Sequence, residues 1–244
     1  MVITGAGQGI GRTFAKSFAQ AGATVVLAEM NELKAKTVAD EITSQGGKAV
    51  VIATDVGNHA STQKMAAQVR AQLGKADVLI NNAGIFSSLK MRPFEQIPDD
   101  EWERVLHVNI TGVFNCCRAL TPLLRASASG RIINISSGAI TLGRPNYLHY
   151  TTSKAALLGL TRSLARELGP AAITVNAILP GSTHTEIERE TVTPQQRQHI
   201  VEMQCIPRVQ VPEDLVGTAM FLASDASAFL TGQGITVDGG ATHT

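Results

Sequence analysis

The chain has 244 residues, 44% of them hydrophobic, with 21 basic and 20 acidic side chains giving a formal charge of +1. That length suits one α/β domain with a sizeable core, while the balanced, evenly spread charge excludes the electrostatic footprint of a nucleic-acid or membrane-surface binder and suits a small neutral or weakly charged ligand. The opening MVITGAGQGIG has no basic segment leading into an apolar stretch, no apolar run reaches membrane-helix length, and the adjacent Cys116 and Cys117 with the lone Cys205 form neither a disulfide framework nor a metal-ligand spacing, so a cytoplasmic protein is expected.

Along the chain, short β-branched runs alternate with helical patterns: VIT, then 10–21, TVVLA, 31–45, KAVVIA, 60–73, ADVLI, 99–125, RIINIS, 150–168, ITVNAI, 213–223 and GITVDG. The runs VVLA, VVIA and VLI are apolar without alternation, as strands are when helices cover both faces of a parallel sheet. The pattern predicts a Rossmann-type doubly wound α/β sheet of about seven mostly parallel strands, in one domain over 1–244. Asp99 and Asp100 open a helix at its positive end, and Gly169-Pro170 closes another after Leu168. The segment at roughly 182–211 has no pattern, and long ordered loops often cover ligands. Only Met1, Val2 and Ile3 precede Thr4-Gly5, fewer than the five or six residues usual in a buried strand, which predicts an intact chain starting upstream of Met1.

Gly5, Gly9 and Gly11 follow the first strand and open the first helix. Small residues there let backbone N–H groups approach a pyrophosphate whose charge the helix dipole favours. Three glycines could instead form a tight turn, and their place between strand and helix favours phosphate binding. Glu29 ends the second strand 18 residues beyond Gly11, close to where dinucleotide folds set an acid on the ribose hydroxyls and repel a 2′-phosphate. Taken alone it reads as a solvated acid opening the next helix. No Lys or Arg stands at Ala6, Gly7, Gln8 or Met30 to neutralise that phosphate, so NAD is the expected cofactor.

Asn82-Ala83-Gly84 follows the fourth strand at a C-terminal edge, where small residues let backbone approach a flat cofactor. Asn109 interrupts the apolar pattern of WERVLHVNITGVF, a position costly for a helix unless the amide is used, whether for function or for a bend. Ser136 and Ser137 end RIINIS at the edge where open parallel sheets bind ligands; either could bond a substrate oxygen, and the physics leaves the choice open. Tyr150 and Lys154 stand four apart at a helix start, on one face. A phenol with a pKa near 10 is a poor base at neutral pH, but a neighbouring ammonium favours phenolate and brings it into range. A chance surface pair is the bland alternative, and only the company of the other residues outweighs it. The six histidines have no paired spacing, and no metal is expected.

Together these residues identify the chain as similar to the short-chain dehydrogenase/reductase family from Thr4 to Gly240. It carries that family's TGxxxGxG at Thr4 to Gly11, its NNAG at Asn81 to Gly84, its YxxxK at Tyr150 to Lys154, and its serine thirteen residues before the tyrosine, which selects Ser137. The resemblance implies that Tyr150 exchanges the proton with the alcohol or carbonyl oxygen, Ser137 holds that oxygen, Lys154 binds ribose and tunes the tyrosine, and Asn109 anchors a relay water. It also implies cofactor contacts from Gly5, Gln8, Gly9, Ile10, Gly11 and Glu29, from Asp55 and Val56 against adenine, from Asn82, Ala83 and Gly84, and from Pro180, Gly181, Thr183 and Thr185. Thr183 departs from the usual Ile or Val of that last segment. Ile206-Pro207-Arg208-Val209 and His149-Tyr150 look somewhat like 1-phenylethanol dehydrogenases.

The expected function is therefore hydride transfer between NAD(H) and a secondary alcohol or ketone. A 3-oxoacyl-carrier-protein reductase is the runner-up, although that activity usually goes with NADP and Glu29 argues against it. A non-catalytic dinucleotide sensor on the same fold is a third possibility, weakened by the presence of both Tyr150 and Lys154. The substrate pocket is expected from 86–94, 138–148 and 182–211; the charged Glu186, Glu188, Arg189 and Glu190 there read by default as a solvated face. The resemblance also implies a homotetramer built partly through 99–125 and 150–168, with Cys116 and Cys117 in or beside an interface. No nucleic-acid or membrane partner is expected.

Overall fold

The computed structural model describes residues 1–187 and 194–243. Its seven strands are β1 (Val2–Thr4), β2 (Thr24–Glu29), β3 (Lys48–Ala53), β4 (Val78–Asn81), β5 (Arg131–Ile135), β6 (Thr174–Pro180) and β7 (Gly234–Val237), paired in parallel in the order β3-β2-β1-β4-β5-β6-β7. Parallel pairing follows from the helices that separate successive strands, since each crossover must return over a face of the sheet. Those helices are α1 (Gly9–Gln20), α2 (Glu32–Ser44), α3 (His59–Leu73), α4 (Asp99–Leu106), α5 (Gly112–Arg125), the short α6 (Ala139–Leu142), α7 (Leu148–Leu168), α8 (Pro194–Glu202) and α9 (Glu213–Ala223).

The unalternating strand runs divide by parity. Val2, Val26 and Ala28 pack into one core with Met65, Leu120 and Leu157 of α3, α5 and α7. Their neighbours Ile3, Val25 and Leu27 pack into a second core with Phe14, Val38 and Leu215 of α1, α2 and α9. Both faces are thus buried, which is why no polar residue alternates through them. The three residues of β1 pair with β2 on one side, Val2 opposite Val26, and with β4 on the other, Val2 opposite Leu79. Strand order reverses between β1 and β4, so their C-terminal ends open the crevice where such sheets bind ligands.

Two expectations change in detail. The helix expected over 99–125 is divided by a π-helical turn at His107–Thr111, which widens the ladder by one residue beside buried Asn109. The segment at 182–211 contains α8, whose polar PQQRQHIVE gives no apolar face by which to foresee it. Cys116 and Cys117 are buried within the chain's own core, where Asn81 Nδ2 contacts Cys117 Sγ at 3.3 Å; burial raises both thiols, Cys117 to about 12. Glu188, Arg189 and Glu190 lie outside the described residues. No described helix is long and apolar enough to cross a membrane.

Candidate active site

One cleft of about 940 Å³ runs across the C-terminal edges of the strands. At its first end the turn after β1 leaves no room for side chains. A Cβ on Gly11 would stand 2.2 Å from the Gly5 carbonyl oxygen, and one on Gly5, at φ +64°, would stand 2.8 Å from Ala83 Cα. Asn82 locks this turn to β4: its amide donates to the Thr4 and Gly5 carbonyls at 3.0 Å each, and its N–H donates to Thr4 Oγ1 at 3.0 Å. The close approach of two backbones at the crevice explains the small residues of both motifs.

The first N–H groups of α1 have no partner within the helix and favour an anion. An anion is in fact there: Glu186 extends across so that Oε1 accepts from Gly9 N–H at 2.9 Å and lies 3.6 Å from Arg12. The carboxylate stands where a phosphate oxygen would, so the cradle fits a dinucleotide pyrophosphate. Glu29, at the end of β2, accepts from Gly7 N–H at 3.0 Å and from Asn31 N–H at 3.1 Å. Lys34 was missed by the sequence reading. Asn31 caps α2 by accepting from the Lys34 N–H at 3.1 Å, which turns the lysine back over the glycine turn so that its ammonium hydrogen-bonds Gln8 Oε1. The cap residue three positions earlier was the signal that could have found it.

At the centre of the cleft, α7 presents Tyr150 and Lys154 one turn apart. Lys154 is buried; its ammonium donates to the Ile135 carbonyl at 2.8 Å and lies 5.8 Å from the Tyr150 ring centroid. Burial lowers its pKa to about 8. The two serines separate cleanly. Ser136 Oγ donates to the Lys154 carbonyl at 2.8 Å and is buried, tying β5 to α7, whereas Ser137, half-buried on the cleft wall, accepts from Ala139 N–H at 3.1 Å. Asn109 sits behind the wall: Oδ1 accepts from Ile85 N–H at 2.7 Å, and Nδ2 donates to the Ile85 carbonyl at 3.2 Å and to Ser153 Oγ at 3.0 Å. It clamps the chain after β4 to α7. A Cβ on Gly84 would stand 3.1 Å from its Oδ1 and 3.4 Å from Lys154 Nζ.

Gln8, Ile10, Asp55, Val56, Pro180, Gly181, Thr183 and Thr185 also line the cleft. Thr183 is buried and bridges to Gln210, so the hydroxyl replaces an apolar side chain where it donates to the Gly181 carbonyl at 3.3 Å. Gly11 and Asn109 are the two expected residues that support the wall without lining it. At the far end the wall is made of side chains from loops and the short α6, among them Phe86, Met91, Leu142, Arg144 and Met203. The Phe86 ring stacks against Tyr150 with centroids 4.3 Å apart. The arrangement unites an anion cradle, an acid at the end of β2, and a phenol beside a buried ammonium, and it suits dinucleotide-dependent proton and hydride transfer.

Residues 5–242 match a family model described as Enoyl-(Acyl carrier protein) reductase. The chain is 37% identical over 242 residues to a Rhizobium meliloti protein named "Probable galactose dehydrogenase", covering 98% of this chain and 93% of that one. It is 37% identical over 241 residues to a 3-oxoacyl-[acyl-carrier-protein] reductase of Staphylococcus aureus, covering 98% and 96%. Among solved structures, the 3-ketoacyl-(acyl-carrier-protein) reductase of Brucella melitensis complexed with NADH superposes with a TM-score of 0.91 at 33% identity, covering 99% of this chain and 97% of that one. With its parallel seven-stranded sheet and glycine cradle, the chain is an oxidoreductase belonging to the short-chain dehydrogenase/reductase family, whose members use nicotinamide cofactors.

Proposed function

We propose that this protein interconverts a secondary alcohol and a ketone with NAD(H), and that Tyr150 is its acid/base. The observation that carries this reading is the convergence of Tyr150, Lys154 and Ser137 on one stretch of cleft wall, with Asn109 clamped behind them. In oxidation, Tyr150 Oη takes the proton of the alcohol; in reduction it returns one to the carbonyl oxygen. Ser137 Oγ donates a hydrogen bond to that oxygen and orients it. Lys154 favours the phenolate by its charge and donates toward the ribose hydroxyls, while Asn109 holds α7 in place and anchors a water through which the proton reaches solvent. The nicotinamide supplies or accepts the hydride. Gly5 to Gly11 receive the pyrophosphate, Asp55 and Val56 flank adenine, Pro180 to Thr185 border the nicotinamide, and Glu29 selects NAD by repelling a 2′-phosphate.

A panel of secondary alcohols and ketones, including aromatic ketones, sugars, steroids and acyl thioesters, scored by NADH absorbance tests the reading. Turnover of one alcohol/ketone class with NADH is expected, and no turnover of any member with either cofactor contradicts it. One observation favours a second reading: the Lys34 ammonium bonds Gln8 on the same glycine turn to which Glu29 is bonded, and an NADPH-dependent 3-oxoacyl-carrier-protein reductase would use that cation for a 2′-phosphate. Rates with NADH and NADPH on one ketone separate the two. The assembly this reading carries is a homotetramer through α4, α5 and α7, with a light-scattering mass near four times the 25.8 kDa of the chain.

A further inference from the structure

The far end of the cleft holds a charge that neither the cofactor nor the proton transfer uses. Arg144 lies in the connection between α6 and α7, its guanidinium carbon 4.7 Å from the Tyr147 ring centroid and 5.8 Å from that of Phe86. Those rings belong to a small core with Leu89, Val105 and Tyr150, and Tyr147 is only 2% exposed, so the platform beneath the cation is fixed. Phe86 in turn stacks on Tyr150. One aromatic floor therefore runs from the phenol to the guanidinium.

Arg144 and Lys154 are the only lysine or arginine side chains lining the cleft among the described residues, beside the imidazole of His199, and Lys154 is already bonded to the Ile135 carbonyl. The carboxylates on the same wall are satisfied elsewhere. Glu29 accepts from Gly7 and Asn31, Asp55 from Gly57, and Asp238 from Gly240 and Thr242. No described carboxylate pairs with Arg144. Stacking engages the faces of a guanidinium and leaves its N–H edge free for a planar anion, which it meets with two parallel hydrogen bonds. A wall that also carries the apolar side chains of Phe86, Met91, Leu142 and Met203 strengthens such a pair relative to open water.

We propose that the substrate is a keto acid or hydroxy acid: its reacting carbon lies at Tyr150, an apolar body crosses Phe86, and a carboxylate at its far end is held by Arg144. The proposal rests on the reading of Tyr150 as the reacting group. It departs from the neutral or weakly charged ligand suggested by overall composition, because one local cation outweighs a net charge that is nearly zero.

The test uses benzoylpropionate and benzoylbutyrate, each beside its methyl ester, with dissociation constants for the enzyme–NADH complex read from NADH fluorescence. At least one acid is expected to bind about tenfold or more tightly than its ester, the ratio falling to near one in Arg144→Met and only partly in Arg144→Lys. Should Arg144→Met unsettle Tyr147 and lose its fold, raising ionic strength in the wild-type protein serves instead: acid binding must weaken while ester binding holds. Acids that bind no better than their esters, or a preference that survives Arg144→Met, overturn the proposal. Because the readout is binding, a failure of turnover across the wider panel would count against the proposed reaction and leave this ratio readable.

Discussion

The two ends of the cleft are made of different material. At the cofactor end, backbone meets backbone: the Gly5 turn lies against Ala83, Gly11 lies against the Gly5 carbonyl, and Asn82 ties the strands with three hydrogen bonds of 3.0 Å. At the substrate end, side chains from three connections and the short α6 meet across open space, and Leu142 and Met203 remain 48% and 38% exposed. The first end therefore permits almost no change, because a backbone cannot retreat from an added atom. The second can exchange its side chains at small cost to the fold, and there Phe86, Arg144 and Met203 set what is bound.

The sharpest way to break this contrast is to change one side chain at each end. Gly11→Ala is expected to cost more than about 3 kcal/mol, lowering the melting temperature by on the order of 10 °C and abolishing NADH binding, whereas Met203→Ala at the substrate end, where the side chain is 38% exposed, leaves both nearly unchanged. Calorimetry and NADH fluorescence on the two variants check this. The next largest effect is at the ribose corner. Glu29→Ser removes the repulsion of a 2′-phosphate and leaves the Lys34 ammonium in place, so the ratio of kcat/KM for NADPH over NADH should rise by roughly ten- to a hundredfold.

A third effect follows from the buried ammonium. The folded pKa of Lys154 is depressed to about 8 from the ordinary 10.5, so below pH 8 folding bears the cost of burying the charge, and that cost is relieved as pH rises through 8 to 10.5. Over that window the cofactor-free protein should gain up to about 1.4 kcal/mol per pH unit from this group. Denaturant unfolding of wild type and Lys154→Met at several pH values should show that increment in the first and not in the second. The smallest effect is at the anion cradle, where Glu186→Gln removes the carboxylate charge that a pyrophosphate must displace from Gly9; NADH should bind a few-fold more tightly, by isothermal titration.

The same contrast governs what the sequence could reveal. Strand ends and the glycine turn were legible because their constraints are local: an apolar run, a glycine with no room for Cβ, a tyrosine and a lysine one helical turn apart. Ser136 and Ser137 could not be distinguished by local reasoning, since only the packing of β5 on α7 sends one hydroxyl to the Lys154 carbonyl and leaves the other at the cleft. The π-helical turn at Asn109 was signalled by an amide in an apolar pattern, but its form depends on Ile85 and Ser153, 24 and 44 residues away. Arg144 falls in the expected pocket segment 138–148, but nothing in the sequence singled it out. Its role depends on which way a loop side chain points and on rings contributed by Phe86 and Tyr147, and no periodicity carries that information.

The central claim is that Tyr150 moves the proton while the rest of the cleft binds. Tyr150→Phe tests it most directly, with single-turnover NADH oxidation measured on a ketone that the wild-type protein reduces and with NADH affinity measured on the same sample. The account predicts a loss of roughly a thousandfold or more in rate with NADH affinity within about twofold of wild type. A variant that retains a tenth or more of the wild-type rate would contradict it.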